Sequence, residues 1–287
     1  MHYFHVDVFS SRPFSGNSLT VFPDAAQLSS DQMAAITREM RHFESIFLTG
    51  EDAGDGAWRA RVFDLVEELD FAGHPVIGAA CVLHALHGSG DRETWTMKLK
   101  ARTVEITTHR RGPGQYASVL DQGAPSFLGQ PDRKDLASWF SLNEEDLDAD
   151  LPPEVVSTGL RYLVLPVRSG ALERARIAFD LDTPLSSLGA QFAYLLDADT
   201  LESRHWNNDG IVEDVATGSG AGCAAAYLRR HGRIRDGEKV VLRQGRFTGR
   251  PSQMTISAQG PSGDVRSVQV GGEVSFVANG RLEELPA

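Results

Sequence analysis

Two stretches of this 287-residue chain combine residue types that could hold an anion beside a mobile proton. One is Asp214-Val-Ala-Thr-Gly-Ser-Gly-Ala-Gly-Cys223, which runs into Ala224-Ala-Ala-Tyr-Leu-Arg-Arg-His231. A glycine-rich turn that empties into strong helix formers leaves backbone N–H groups at a helix N-terminus without intrahelical acceptors. The glycines let a ligand approach the backbone and the helix dipole favours negative charge, so carboxylate and phosphate both suit such a turn. A tight strand-to-helix connection with no ligand is the competing reading. The other stretch is Asp70-Phe-Ala-Gly-His-Pro-Val-Ile-Gly-Ala-Ala-Cys81, which opens the apolar run Val82-Leu-His-Ala-Leu-His87. Laying Asp70 on Asp214 also lays Ala72 on Ala216, Gly78 on Gly222 and Ala80 on Ala224. The pattern reads as two copies of one unit, against chance similarity between two Gly/Ala-rich segments.

Two side chains ahead of or inside the first turn could move protons. Glu44 lies in Phe43-Glu-Ser-Ile-Phe-Leu-Thr49, a strand by composition, and alternation puts it on the face of Ile46 and Leu48. A carboxylate on an apolar face loses hydration, which raises its pKa toward the range where it both takes and gives a proton. A strand-end glutamate reaching into water, or pairing with Arg38 or Arg41, is the alternative. His74 stands where the first turn becomes helix, ahead of Pro75, and could donate to a carboxylate, shuttle a proton, or simply cap and pack.

Other motifs fail on inspection. Gly218-Ser-Gly-Ala-Gly-Cys223 misses the dinucleotide fingerprint at position 223, and no Lys completes a P-loop. Gly-Ser-Gly-Ala-Gly is not the Gly-x-Ser-x-Gly elbow. His84 and His87 are one helical turn apart with no Cys or acid at zinc spacing, so no metal site is expected. The acidic run Asn143-Glu-Glu-Asp-Leu-Asp-Ala-Asp150 lacks EF-hand spacing and reads as a solvated surface.

The elements that must position these residues follow from the pattern. His2–Phe9 and Ser18–Phe22 are strands around a Pro/Gly/Asn turn, and Ser29-Ser-Asp31 caps a helix with apolar positions Met33, Ile36, Met40 and Phe43. Strands are expected at 58–63, 95–99, 104–108 and 116–120. The loop Gln122–Ser126 marks a boundary, giving domains 1–122 and 123–287. Beyond it, a short helix is expected over 132–140, strands on both sides of Gly159, partly helical segments at 185–188 and 191–195, and strands at 239–244, 253–258 and 267–277.

A net charge of −11 argues against a nucleic-acid partner. The chain has no long apolar run and no charged-then-apolar leader, so a soluble, cytoplasmic protein without a membrane segment is expected. Two cysteines, Cys81 and Cys223, cannot form a disulfide scaffold. Cys223 near a helix N-terminus could still be a thiol of lowered pKa and hence a nucleophile.

Taken together, Phe71-Ala-Gly-His-Pro75, Glu213-Asp-Val-Ala-Thr-Gly-Ser219, Ser157-Thr-Gly159, Gln244-Gly245 with Gly249-Arg-Pro-Ser252, and Gly16-Asn17 after Asp7 resemble the PhzF-like proteins of phenazine biosynthesis, in the diaminopimelate epimerase superfamily. The resemblance runs through the whole chain in order. It implies an α+β fold of two similar domains, each a barrel-like sheet around a central helix, with the active site in the cleft between them. It implies Glu44 as the general acid/base. His74, Asp214 and Ser219 would lie around a substrate carboxylate, with backbone donors from Gly73 and from Gly218 to Gly220. The implied reaction is a cofactor-free proton shift on a small carboxylate such as a dihydro-hydroxyanthranilate, by a homodimer. Epimerases of the superfamily place a cysteine in each turn, where this chain has Ala72 and Thr217, so a two-thiol mechanism is not expected. Asp64-Leu65 departs from the Thr-Pro of many members. A small-carboxylate binder without turnover is the rival reading.

Overall fold

The computed structural model describes residues 1–51 and 56–287. The chain forms two compact units, Met1–Asp121 with Gly271–Ala287, and Gln122–Val270.

In the first unit the strands are β1 (His2–Val8), β2 (Asn17–Phe22), β3 (Glu44–Glu51), β4 (Trp58–Asp64), the short β5 (Glu68–Leu69), β6 (Arg92–Lys98), β7 (Thr103–Gly112) and β8 (Gln115–Gly123). Pairing runs antiparallel β1–β2, parallel β2–β3, antiparallel β3–β4, parallel β4–β6, then antiparallel through β7 to β8. The last strand of the chain, β16 (Ser267–Arg281), neighbours β8 and pairs antiparallel with β1, which returns the sheet to its first strand. A boundary drawn by chain order at 122/123 does not anticipate this return. It follows from pairing: β1 would otherwise carry an unpaired edge.

Helix α2 (His74–His87) packs against β1, β2, β3, β6 and β7. It is buried from His74 to His84, as a helix apolar on all sides must be. A Cβ on its Gly78 would stand 2.5 Å from Leu19, with Val8 and Val6 just beyond, so those strand side chains face the helix. Helix α1 (Ser30–Met40) starts at a capping box in which the Ser29 and Gln32 side chains bond each other's backbone N–H. Its Met33 and Ile36 lie over Phe22, Phe47 and Phe63 on the opposite sheet face.

In the second unit the strands are β9 (Ser126–Gly129), β10 (Glu154–Ser157), β11 (Arg161–Pro166), β12 (Phe192–Asp197), β13 (Glu202–Arg204), β14 (Val240–Gln244) and β15 (Ser252–Gln259). The order of pairings from β10 to β15 is again antiparallel, parallel, antiparallel, parallel, antiparallel. Helix α5 (Gly218–Arg230) packs on β10, β11 and β15, while α3 (Ala171–Arg174) and α4 (Asp182–Ser187) lie over a separate apolar cluster that includes Leu163, Leu165 and Leu195. α2 and α5 occupy the same step of the repeated strand order, as do α1 and α4. The duplication is therefore visible in topology, whereas the overlaid aspartates differ in environment. Asp214 is buried, but Asp70 is exposed and pairs with Lys100 at 2.8 Å.

Three expectations change. The helix over 132–140 is only a 3-10 turn at Ser138–Phe140. Residues 192–195 belong to β12, because Phe-Ala-Tyr-Leu is apolar on both faces and a run without period does not distinguish helix from strand. In the acidic loop, Asp146 is buried rather than solvated, because the Arg174 guanidinium neutralises its charge and Asn143 N–H bonds its other oxygen. Among the described residues no helix is long and apolar enough to cross a membrane.

Candidate active site

Glu44 is the first residue of β3, in register with Leu19 of β2 and Asp64 of β4. Alternation gives it the face of Ile46 and Leu48, both fully buried. His74 opens α2, and its Nδ1 lies 3.7 Å from Glu44 Oε2, with the two side chains 5% and 12% exposed. Pro75 follows in the first turn, where a missing N–H costs nothing. Gly73 is the N-cap residue, and no side chain caps the helix. The preceding turn is braced from the β6–β7 hairpin: Ala101 N–H donates to the Asp70 carbonyl at 3.1 Å, and the Arg102 guanidinium lies 3.8 Å from the centre of the Phe71 ring. Burial lowers the pKa of Arg102, opposed by the charge of Asp121.

In the second unit Asp214, Thr217 and Gln244 form one network. Thr217 Oγ1 donates to Asp214 Oδ2 at 2.6 Å, so the N-cap hydroxyl is turned away from the helix it precedes. Gln244 Nε2 donates to the Asp214 carbonyl at 2.9 Å and to Thr217 Oγ1 at 3.0 Å, while its Oε1 accepts from Thr217 N–H at 3.2 Å and Tyr194 O–H at 3.0 Å. The opening N–H groups of α5, on Gly218, Ser219 and Gly220, are left by helix geometry for another acceptor. Ser219 Oγ is 2.8 Å from Tyr162 Oη. Gln122 Nε2 bonds the Gly218 carbonyl at 3.0 Å, and Thr158 Oγ1 donates to Gln122 Oε1 at 2.7 Å. Glycine is required here: a Cβ at Gly220 would come 2.6 Å from the Tyr194 ring, and one at Gly222 1.9 Å from Gln122 Oε1.

The structure thus brings Glu44 and His74 together in the first unit and Asp214, Gly218, Ser219 and Gly220 together in the second. Sequence reasoning quoted Gln244 only within a motif and Gln122 only within a boundary loop, and did not single out Tyr162 or His205. The signal of the last two was faint: a tyrosine in a strand-like run and a histidine among polar residues, which burial alone singles out.

The thiol reading is overturned. Cys81 and Cys223 are fully buried, and burial raises both thiols, Cys223 to about 12. Cys223 sits beyond the first turn of α5, fully buried, with Sγ 3.3 Å from the Val156 carbonyl, so desolvation outweighs the helix dipole. His84 is a satisfied core histidine, bonded to Thr108 Oγ1 at 2.7 Å and the Gly90 carbonyl at 3.0 Å, and no group of three or more potential ligands could hold a metal among the described residues.

Two units of one repeated topology, each opening its inner helix at a glycine turn, define a diaminopimelate epimerase-like protein. Residues 6–280 match the family model described as phenazine biosynthesis-like protein (PhzC-PhzF), and the chain belongs to that family. It is 32% identical to trans-2,3-dihydro-3-hydroxyanthranilate isomerase of Pseudomonas chlororaphis over 278 residues, 94% of this chain and 95% of the relative. The solved structure of a predicted epimerase from Pseudomonas aeruginosa is 48% identical, with a TM-score of 0.91 over 99% of each chain. A probable proline racemase from Agrobacterium radiobacter shares the fold at a TM-score of 0.65 and 12% identity, over 98% of this chain and 92% of that one. The protein is an isomerase acting on a small molecule.

Proposed function

We propose that the protein shifts a proton between two carbons of a small carboxylate, with Glu44 as the carrier. The carboxylate form of Glu44 takes a proton from one carbon and the electron pair moves through the adjoining double bond. The resulting acid then protonates the far end of that system. Atoms and electrons balance without an oxidant, reductant or cofactor. His74 and Gly73 steady the charge that develops, and Asp214 orders the turn whose Gly218, Ser219 and Gly220 receive the substrate carboxylate. The dihydro-hydroxyanthranilate turned over by the Pseudomonas chlororaphis relative is one substrate of this class. The reading extends to a homodimer working in the cytoplasm, which size-exclusion chromatography with light scattering and fractionation address.

The observation that carries the proposal is the 3.7 Å approach of Glu44 to His74 at the head of a buried helix, with both side chains withdrawn from water. A carboxylate and an imidazole so placed can exchange a proton with little competition from solvent. The test is proton NMR in heavy water with trans-2,3-dihydro-3-hydroxyanthranilate and a panel of cyclic and amino-acid-like carboxylates, comparing wild type with Glu44→Gln. Deuterium entering a compound only with wild type supports the reading. Full exchange with Glu44→Gln sinks it, and binding without exchange by wild type favours a non-catalytic carboxylate binder.

A further inference from the structure

His205 follows β13 and is 5% exposed. Its Nδ1 lies 2.8 Å from the Ala193 carbonyl oxygen. A carbonyl only accepts, so Nδ1 carries the hydrogen and the neutral ring keeps its lone pair on Nε2. Burial lowers the basicity of the ring, with the Asp214 charge opposing it, which favours that neutral acceptor form. No hydrogen bond reaches Nε2 from any described residue.

The surroundings of the ring are aromatic and lie beside the opening of α5. Tyr162 and Phe192 stand edge-on to it, with ring centres at 5.6 Å and 5.7 Å. The hydroxyl of that same Tyr162 is 2.8 Å from Ser219 Oγ, in the first turn of α5. Unlike His74 Nε2, His205 Nε2 is not sealed from solvent, so a ligand donor can take the place of water at an otherwise buried ring. Here one tyrosine links that acceptor to the turn proposed to seat a carboxylate.

We propose that His205 Nε2 accepts a hydrogen bond from an amino or hydroxyl group on the substrate, making the enzyme selective for carboxylates that carry such a donor over plain ones. The inference rests on the proposed seating of a carboxylate at the N-terminus of α5, and adds to it a specificity-determining residue. An acceptor that a bound ligand closes off from water discriminates well, since an analogue lacking the donor leaves it unpaired.

Two probes of similar outline separate the contributions: 3-hydroxyanthranilate, which carries amino and hydroxyl donors, and benzoate, which carries none. Calorimetry on the full chain compares wild type, His205→Met and His205→Gln, and 15N NMR follows the histidine ring nitrogens. The expected result is a preference on the order of tenfold for 3-hydroxyanthranilate in wild type, worth one good hydrogen bond. Methionine abolishes that preference with benzoate affinity unchanged, and glutamine, whose amide oxygen can still accept, retains most of it. The Nε2 resonance moves upfield with 3-hydroxyanthranilate and not with benzoate. A preference that survives in His205→Met, an equal loss for both probes, or an unmoved Nε2 resonance overturns the inference while leaving the carboxylate seat standing. Failure of wild type to bind either probe overturns the seat itself and the inference with it.

Discussion

His74 Nδ1 stands 3.7 Å from Glu44 Oε2, and neither side chain has appreciable access to solvent. The separation exceeds a strong hydrogen bond, so the pair is close enough to couple electrostatically without locking the proton between them. Glu44→Gln keeps the shape and removes the exchangeable proton. The expected outcome is a loss of deuterium exchange on the order of 10²- to 10⁴-fold with ligand affinity retained, whereas His74→Ala weakens binding of the carboxylate as well. Exchange rates and calorimetry on the same samples check both.

Gln244 holds the Asp214 carbonyl and the backbone N–H and hydroxyl of Thr217 through three bonds, and accepts a fourth from the Tyr194 hydroxyl. Gln244→Glu is nearly isosteric but loses the amide donor to the Asp214 carbonyl. A destabilisation of about 2–4 kcal/mol is expected, because that buried hydrogen bond is lost and a buried carboxylate is introduced. Urea denaturation reads the change.

At Gly220 the space for a methyl group is already filled by the Tyr194 ring, which cannot retreat, because its hydroxyl is 2.7 Å from Ser203 Oγ and 3.0 Å from Gln244 Oε1. Gly220→Ala should cost about 1–3 kcal/mol by overpacking. Gly263→Ala, where a Cβ meets nothing within 4 Å, serves as the neutral control in thermal melts.

Both thiols should be inert in the folded protein. With the Cys223 thiol raised to about 12, only about one molecule in 10⁴ carries the thiolate at pH 8. Iodoacetamide is therefore expected to label neither cysteine in native protein and both in urea, and Cys223→Ala to retain activity. Mass spectrometry counts the adducts. Rapid native labelling that abolishes activity would restore the thiol mechanism.

His205 supplies a pH dependence of stability. Burial lowers its pKa in the fold, so the unfolded chain binds more protons in the range just below the ordinary histidine value. Stability from this group is therefore complete above about pH 6.5 and is lost as pH falls from there toward the folded pKa, with a slope of at most about 1.4 kcal/mol per pH unit. Urea midpoints of wild type and His205→Gln should diverge least near pH 5 and most near pH 7.5. A difference that stays constant with pH would contradict the neutral buried ring.

What the sequence determined by itself is local. Two glycine turns opening two helices were legible because glycine content and helix formers act within a few residues. Glu44 was placed on the face of Ile46 and Leu48 because alternation is a property of one strand. The capped α1 was read from Ser29 and the apolar spacing after it, and the ordered motifs from Gly16 to Ser252 pointed to the family. Tertiary structure decided what depends on distant segments. Asp214 and Asp70 look alike in sequence, yet one is enclosed by Gln244 and Thr217 while the carboxylate of the other pairs with Lys100 at the surface. Cys223 has the dipole of a reactive thiol, and only packing against Val156 shows that desolvation prevails. β12 became a strand because β11 and β13 lie on either side of it, and residues 271–281 joined the first unit because β1 offered an edge. Burial and long-range pairing settle these points because both are set by which surfaces the folded chain removes from water, a quantity no window of neighbouring residues contains.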